Sequence, residues 1–341
     1  MIRIALDVMG GDRAPLTEID GALLAVSELD VELTLIGPES RIREELRRRG
    51  QRSNRRIDVL HAPEVITMDD PVIPAIRRKR NSSIVVGLRY VQEGNAQAFV
   101  SAGNTGAVMA AAKMILKTPP SIDRPALATI LPTLTGRGVV LVDVGANAEC
   151  RPIHLLQFAI MGNLYARTIL GLRSPRVALM SIGEEEVKGN DLTREAYKLL
   201  ERSDLNFVGN IEGRNIYTGE VDVIVCDGFT GNVILKTSEG VFEMLVAGIR
   251  QELMRSVQTK VGAFLSRPAF ENFRRRFDWS EFGGAPLLGV KEVCVICHGR
   301  SNARAIRNAI RVAKELCERR VVEKIEQEVA KFERQQVKAA H

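Results

Sequence analysis

The chain has 341 residues, of which 45% are hydrophobic and 26% charged, and it carries a net charge of +6 at pH 7. This is the composition of a globular protein with a large core, built as one large domain or two modest ones, and it excludes a disordered or fibrous chain. No run of about 18 uninterrupted apolar residues is available to span a bilayer, and the positive balance favours anionic partners without choosing among phosphate esters, acidic proteins and anionic lipid.

The first residues, Met1-Ile2-Arg3-Ile4-Ala5-Leu6-Asp7, read as a strand and not as the core of a secretory signal. Strand patterns follow at Val31–Ile36, Ile57–His61, Ala98–Ser101, Ala126–Leu131 and Val139–Val144. Others fall at Val177–Ile182, Asn206–Val208, Val221–Cys226 and Val293–His298. The stretches between most of them carry apolar residues at three- and four-residue spacing, the mark of amphipathic helices. That alternation predicts an α/β fold with a largely parallel sheet covered on both faces.

Between these strands, Arg41 to Arg56 holds eight arginines but interleaves Glu44 and Glu45, so a solvated helix and loop are expected. Without an aromatic platform it gives no ground for nucleic-acid binding. Leu155 to Leu172, interrupted by Gln157, Asn163 and Arg167, reads as a buried or dimer-interface helix. From Arg250 to Trp279 apolar residues mix with Arg255, Lys260, Arg267, Arg274, Arg275 and Arg276, and Pro268 divides the stretch into two short helices. Such a face suits an anionic membrane or an acidic protein, or else packs on its own subunit. Ala303 to Phe332 reads as one long terminal helix, with Ile306, Ile310, Ala313, Cys317, Val321, Ile325, Val329 and Phe332 as its apolar stripe.

Six strands end in a small polar residue and glycine: at Asp7 to Asp12, Ser101 to Gly106, Asp143 to Asn147, Ser181 to Gly183, Cys226 to Gly228, and His298-Gly299. Ligands of parallel sheets bind beyond the carboxyl ends of strands, so six such turns on one edge predict one composite cleft. Glycine also simply makes tight turns, which leaves the accompanying Asp, Asn, Ser and His unexplained.

Ser101-Ala102-Gly103-Asn104-Thr105-Gly106-Ala107 follows a strand and opens a helix, where free N–H groups can hold an anion. Asn104 or Thr105 serves equally well as a helix cap. Asp227-Gly228-Phe229-Thr230-Gly231-Asn232 repeats the pattern, with Asn232 and Lys236 on one helical face. Lys188, beside Gly189, has backbone freedom to approach a ligand. His298, three residues before Ser301, is the histidine best placed for proton transfer. The chain lacks the Walker, dinucleotide, H-E-x-x-H and G-x-S-x-G signatures, so no cofactor or metal is expected. Cys294-Val295-Ile296-Cys297-His298 matches the spacing of c-type haem attachment but reads as a buried strand, with its thiols packed as small hydrophobes. Five cysteines without a secretory signal fit reduced thiols in the cytoplasm.

Taken in order, these segments resemble the phosphate acyltransferases of bacterial phospholipid synthesis, the PlsX family. The matching runs include Leu6 to Asp12, Ser101 to Ala107, Arg124-Pro125-Ala126-Leu127 and Asp143 to Asn147. They continue through Gly183 to Gly189, Gly209-Asn210-Ile211-Glu212-Gly213, Asp227 to Asn232 and Gly283 to Gly289, so nearly the whole chain is covered. Arg300 departs from the family, which has a small residue there.

The resemblance implies transfer of a long-chain acyl group from acyl carrier protein (ACP) to inorganic phosphate, giving acyl phosphate for a membrane glycerol-phosphate acyltransferase. It also implies a Rossmann-like α/β/α sandwich and a homodimer. The whole chain, 1–341, would form one domain with a protruding helical hairpin at 240–280, which meets the membrane or the carrier through Arg255, Lys260, Phe264, Leu265 and Arg267. Phosphate would be held by Asn104, Thr105 and Lys188, the oxyanion or phosphate by Asn232 and Lys236. His298 would move a proton, with Asp227 orienting it or a cation. Asp7, Gly10, Gly11, Gly106, Asn147 and Ser301 would complete the substrate site. An acyl chain further requires an apolar groove beside the polar cleft. Two other readings stay open: a short-chain acyl-CoA phosphate acyltransferase, and a non-enzymatic carrier- or membrane-binding scaffold.

Overall fold

Successive residues of a strand face opposite sides of its sheet, and in this chain both sides are covered. In β1 (Ile2–Asp7), Ile4 and Leu6 enter one apolar core and Ala5 a second; in β4 (Ala98–Ser101), Val100 enters the first and Phe99 the second. The computed structural model describes residues 1–51, 53–277 and 283–339, without the side chains of 274–277, 333 and 335–339. Trp279 and the side chains of Arg274, Arg275, Arg276 and Phe277, all counted in the apolar-basic stretch, therefore lie outside the described residues.

The remaining strands are β2 (Val31–Gly37), β3 (Ile57–His61), β5 (Ala126–Pro132), β6 (Gly138–Val142), β7 (Val177–Met180), β8 (Phe207–Ile211), β9 (Val223–Val225), β10 (Ala285–Leu288) and β11 (Val293–Ile296). They form one sheet in the order β3-β2-β1-β4-β11-β10-β5-β6-β9-β7-β8. One face carries α1 (Leu16–Glu28), α2 (Glu39–Arg48), α6 (Pro152–Ile169), α7 (Asp191–Glu201), α11 (Ala303–Glu318) and α12 (Val321–Ala339). The other carries α3 (Val72–Arg78), α4 (Ser83–Gln92), α5 (Thr105–Ile115) and the start of α8 (Gly228–Leu253). Helices α9 (Val257–Leu265) and α10 (Arg267–Phe277) continue beyond α8. The α/β fold with a largely parallel sheet and two covered faces is thus as expected, and α6 is a core helix.

Three details depart from the sequence reading. Strand β10 was not expected, because Gly283-Gly284-Ala285-Pro286 has the composition of a loop. It pairs antiparallel with both β11 and β5, and β5 is in turn antiparallel to β6. The sheet is therefore two parallel halves running in opposite directions, offset so that the ends of β6 and β9 come level with the end of β11. The glycine turns do not line one edge; those of the two halves face each other across the middle of the sheet. Finally, the terminal helix is two helices: Arg320 adopts a left-handed φ of 50° and breaks the run. The apolar stripe is shared, with α11 packed on α1 and α12 on α6.

Candidate functional site

The helix that follows β9 begins where the ends of β6 and β11 meet, so its first turns stand beside the turns after β4 and β11. This meeting assembles the site. Asp227 caps α8, accepting from Thr230 N at 2.9 Å and Thr230 Oγ1 at 2.8 Å. Gly231 lies on the backbone of Asp143, where a Cβ would overlap the Asp143 carbonyl oxygen, and this close approach holds the first turn of α8 against the end of β6. One turn further, Asn232 and Lys236 face His298.

Thr105, Asn232, Lys236, Glu239, His298 and Ser301 line one cavity of about 140 Å³, floored by Leu127 and Thr129 of β5. Lys236 Nζ donates to Glu239 Oε2 at 2.8 Å and lies 3.3 Å from His298 Nε2. His298 Nδ1 accepts from Arg300 N at 3.2 Å. Burial first, and then the Lys236 charge, lower the His298 pKa below its usual 6.5, so the ring is held neutral at pH 7. The neutral ring holds one lone pair, on Nδ1 where it accepts from the Arg300 N–H or, in the other tautomer, on Nε2 facing the Lys236 ammonium. Glu239 was not foreseen, because a glutamate three residues after a lysine is the commonest of surface pairs.

A second, larger cavity of about 630 Å³ adjoins the first and shares Leu235 and Glu239 with it. Its walls are almost wholly apolar and include Leu131, Ile216, Val241 and Phe242. The polar cleft with an apolar groove beside it is the arrangement an acyl substrate needs.

Other expected site residues support the cleft from behind. Asp7 is fully buried and accepts from Ser101 Oγ at 2.7 Å and Met9 N at 2.9 Å, and burial pushes its carboxyl pKa up. Gly10 packs on Gly103, where a Cβ would come 2.7 Å from the Gly103 Cα, and so joins the turns after β1 and β4. Asn104 caps α5 through Ala107 N at 3.0 Å and donates to Met68 O at 3.1 Å. Gly106 sits in the first turn of α5 against Val72. Asn147 is buried and donates to Asp143 and to the Pro125 carbonyl. Asp143 accepts from five groups, including the backbone N–H groups of Leu127, Gly145, Ala146 and Asn147, which shapes the turn after β6. These residues build the walls; they do not line the small cavity.

Lys188 and Asp227 are not brought to His298. Lys188 is exposed in the loop after β7 and folds over Gly183, and it is not among the residues that line the small cavity. The Asp227 carboxylate is taken by the cap of α8, so it neither orients His298 nor pairs with Lys236. Asn190, just beyond Lys188, caps α7 through Thr193 N.

Glu18 is a buried acid that sequence reasoning passed over. It lies under the turn after β1, accepts from the Gly11 N–H, and its Oε2 has no hydrogen-bond partner among the described residues. Burial, and then the neighbouring Asp7, push its pKa up to about 7. Its unfolded value is near 4.5, so between these two pH values the folded state binds more protons than the unfolded. Stability is fully present below about pH 4.5 and is lost as pH rises through about 7. We expect Glu18→Gln to match the parent near pH 4.5 and exceed it at pH 8 by roughly 1–3 kcal/mol, measured by denaturant melts across pH. Parallel pH profiles for the two proteins would contradict this.

Exposed apolar side chains continue along α8, α9 and α10: Val241, Met244 and Ile249, then Phe264 and Leu265 at 74% and 73% exposure. Arg255 is ion-paired to Glu252, and Arg267 to Glu271, while Lys260 is exposed. No helix among the described residues is long and apolar enough to cross a membrane. Cys294 and Cys297 are buried in and just beyond β11, where burial pushes both thiols up to about 12.

The family described as fatty acid synthesis protein matches residues 2–324. The chain is 53% identical over 334 residues to a phosphate acyltransferase of Koribacter versatilis, covering 96% of this chain and 93% of the relative. It is 49% identical over 330 residues to a phosphate acyltransferase of Geotalea uraniireducens, covering 96% and 95%. Among solved structures it is similar to a phosphotransacetylase from Streptococcus pyogenes, with a TM-score of 0.62 at 16% identity over 93% of this chain and 94% of that one. That likeness concerns the fold alone.

Proposed function

The chain belongs to the fatty acid synthesis protein family, and from that premise we propose that it transfers a long-chain acyl group from acyl-ACP to inorganic phosphate. Acyl transfer to phosphate rests on the family, since relatives about half identical over nearly the full length bear the name phosphate acyltransferase. One observation favours the long-chain donor: the small polar cavity opens beside an apolar groove more than four times its volume. Each methylene buried there contributes about 0.8 kcal/mol, an interaction an acetyl group cannot make.

Phosphate is an anionic nucleophile, so the reaction needs no acyl-enzyme. Lys236 holds phosphate beside the thioester carbonyl, with the Thr105 and Ser301 hydroxyls as further donors. Holding the two reactants together removes much of the entropic barrier. As a phosphate oxygen attacks, the carbonyl oxygen becomes an oxyanion, which the Asn232 amide and the Lys236 charge stabilise. Neutral His298, in the tautomer that carries its lone pair on Nε2, accepts the phosphate proton. Collapse of the intermediate breaks the C–S bond, and His298 passes the proton to the departing thiolate, leaving acyl phosphate and the free carrier thiol.

The wider reading follows from the same premise. The chain acts as one α/β/α unit with residues 240–280 as an arm, works as a homodimer in the cytoplasm, and passes acyl phosphate to a membrane glycerol-phosphate acyltransferase. Phe264 and Leu265 supply the apolar contact of the arm with a membrane surface, and Arg255, Lys260 and Arg267 attract anionic headgroups or the acidic carrier.

The reading is tested by thiol release from palmitoyl-ACP with and without phosphate, with acyl phosphate detected alongside. Phosphate-dependent release is expected. A preference for acetyl-CoA would instead make the chain a short-chain enzyme, and ACP binding without release would make it a scaffold. The role of His298 has a separate signature. The acid limb of kcat/KM should lie below pH 6.5 and move towards neutrality in Lys236→Met, because the cation that lowers the His298 pKa is gone. Ionisation of phosphate is common to both proteins, so superimposable limbs would remove His298 from proton transfer.

A further inference from the structure

We propose that Phe242 and Phe273 form the end wall of the acyl groove and set the chain length that the enzyme accepts. This rests on the acyl-transfer reading above. The groove begins at Leu235 and Glu239, which belong to the polar cavity as well, and it follows one face of α8 outward. Two of its polar groups are paired with each other: Ser238 Oγ donates to Ile234 O at 2.6 Å, so the Tyr217 hydroxyl is the donor in its contact with Ser238. The remaining wall that a hydrocarbon meets is mostly apolar.

The far side is closed by a residue from a different helix. Phe273 of α10 stacks on Phe242 of α8, with ring centroids 6.5 Å apart and planes 19° from parallel. Both rings line the groove. Phe242 is seven residues beyond Leu235, about 10 Å along the helix axis at 1.5 Å per residue. An extended chain advances roughly 1.2 Å per bond, so about eight or nine methylenes reach the ring pair. A longer tail must push Phe273 outward. Phe273 is about half exposed and meets Phe242 from a separate helix, so the pair forms a wall that yields with chain length.

The test compares acyl-ACP donors of 4, 8, 10, 14 and 18 carbons with two variants whose folding is checked by thermal melts. Phe273→Ala removes the outer half of the wall, and the ratio of kcat/KM for the 18-carbon donor to that for the 10-carbon donor should rise about tenfold. Thr237→Phe fills the groove one turn nearer the polar cavity. It should lower turnover of the 10-carbon and longer donors while sparing the 4-carbon one. If Thr237→Phe acts in this way but Phe273→Ala keeps the parent profile, or loses activity equally at every length, the wall is refuted and the groove stands. If neither variant changes the profile, the groove does not hold the acyl chain, and the long-chain reading falls with the proposal.

Discussion

Lys236→Met should lower kcat/KM for phosphate-dependent thiol release by roughly 10²–10³, the range typical of losing one preorganised donor to a developing oxyanion. Methionine keeps the aliphatic stem and removes only the charge. The loss should appear in kcat and in the KM for phosphate, because the same ammonium meets phosphate in the ground state and the oxyanion in the transition state. Glu239 then stands beside the anion without its 2.8 Å partner, and this repulsion adds to the deficit. The double variant Lys236→Met/Glu239→Gln separates the two effects. It should recover part of the phosphate KM and little of kcat. Initial rates against phosphate concentration decide the matter, and a Lys236→Met enzyme within threefold of the parent would take Lys236 out of the chemistry.

The second large effect is expected from a single methyl group on the same helix. Gly231→Ala places a Cβ onto the Asp143 carbonyl oxygen, 2.9 Å from its carbon and 3.0 Å from the Cys226 sulfur. Two of these neighbours are backbone and cannot rotate aside, so the first turn of α8 must lift. Overpacking of this kind costs about 1–3 kcal/mol. The lift also carries Asn232 and Lys236 away from His298, and a displacement near 1 Å is enough for a loss of about 10²-fold in turnover. Gly240→Ala is the control, since its Cβ would meet nothing within 4 Å. Alanine there should stabilise α8 by up to about 1 kcal/mol through helix propensity. Equal melting temperatures and rates for the two variants would show that the Gly231 contact does not position the helix.

Much of this architecture is legible in the sequence. The strand cores recur as short β-branched runs, as in Val139-Val140-Leu141-Val142, and the turns after them are marked by glycine beside Asp, Asn or Ser. Thr105, Asn232, Lys236, His298 and Ser301 each stand one turn or less beyond a strand, or on the helix that follows it. Those five line one cavity. Asp7, Asn147 and Asp227 were selected by the same rule and are engaged elsewhere, because a polar side chain after a strand can equally turn back and satisfy the N–H groups of its own turn. From a sequence the two fates look alike.

Local and recurrent features are legible in the residues alone: the α/β alternation, a helix cap at Asn104 or Thr105, and a run of motifs carrying family membership. Direction and distance were set by the packing of the whole chain. Strand β10, hidden in a glycine-proline segment, is antiparallel to both neighbours, and the antiparallel pairing of β5 with β6 then reverses the sense of half the sheet; no local pattern encodes how the two halves are offset. The break at Arg320 is equally silent, since neither glycine nor proline marks it and the apolar stripe continues through it. Glu239 and the Phe242–Phe273 wall emerge only because α8 starts where the ends of the two halves meet and approaches α10 beyond. Residues separated by 62 positions, such as Lys236 and His298, become neighbours through that meeting, and the offset that sets it is a property of the whole sheet.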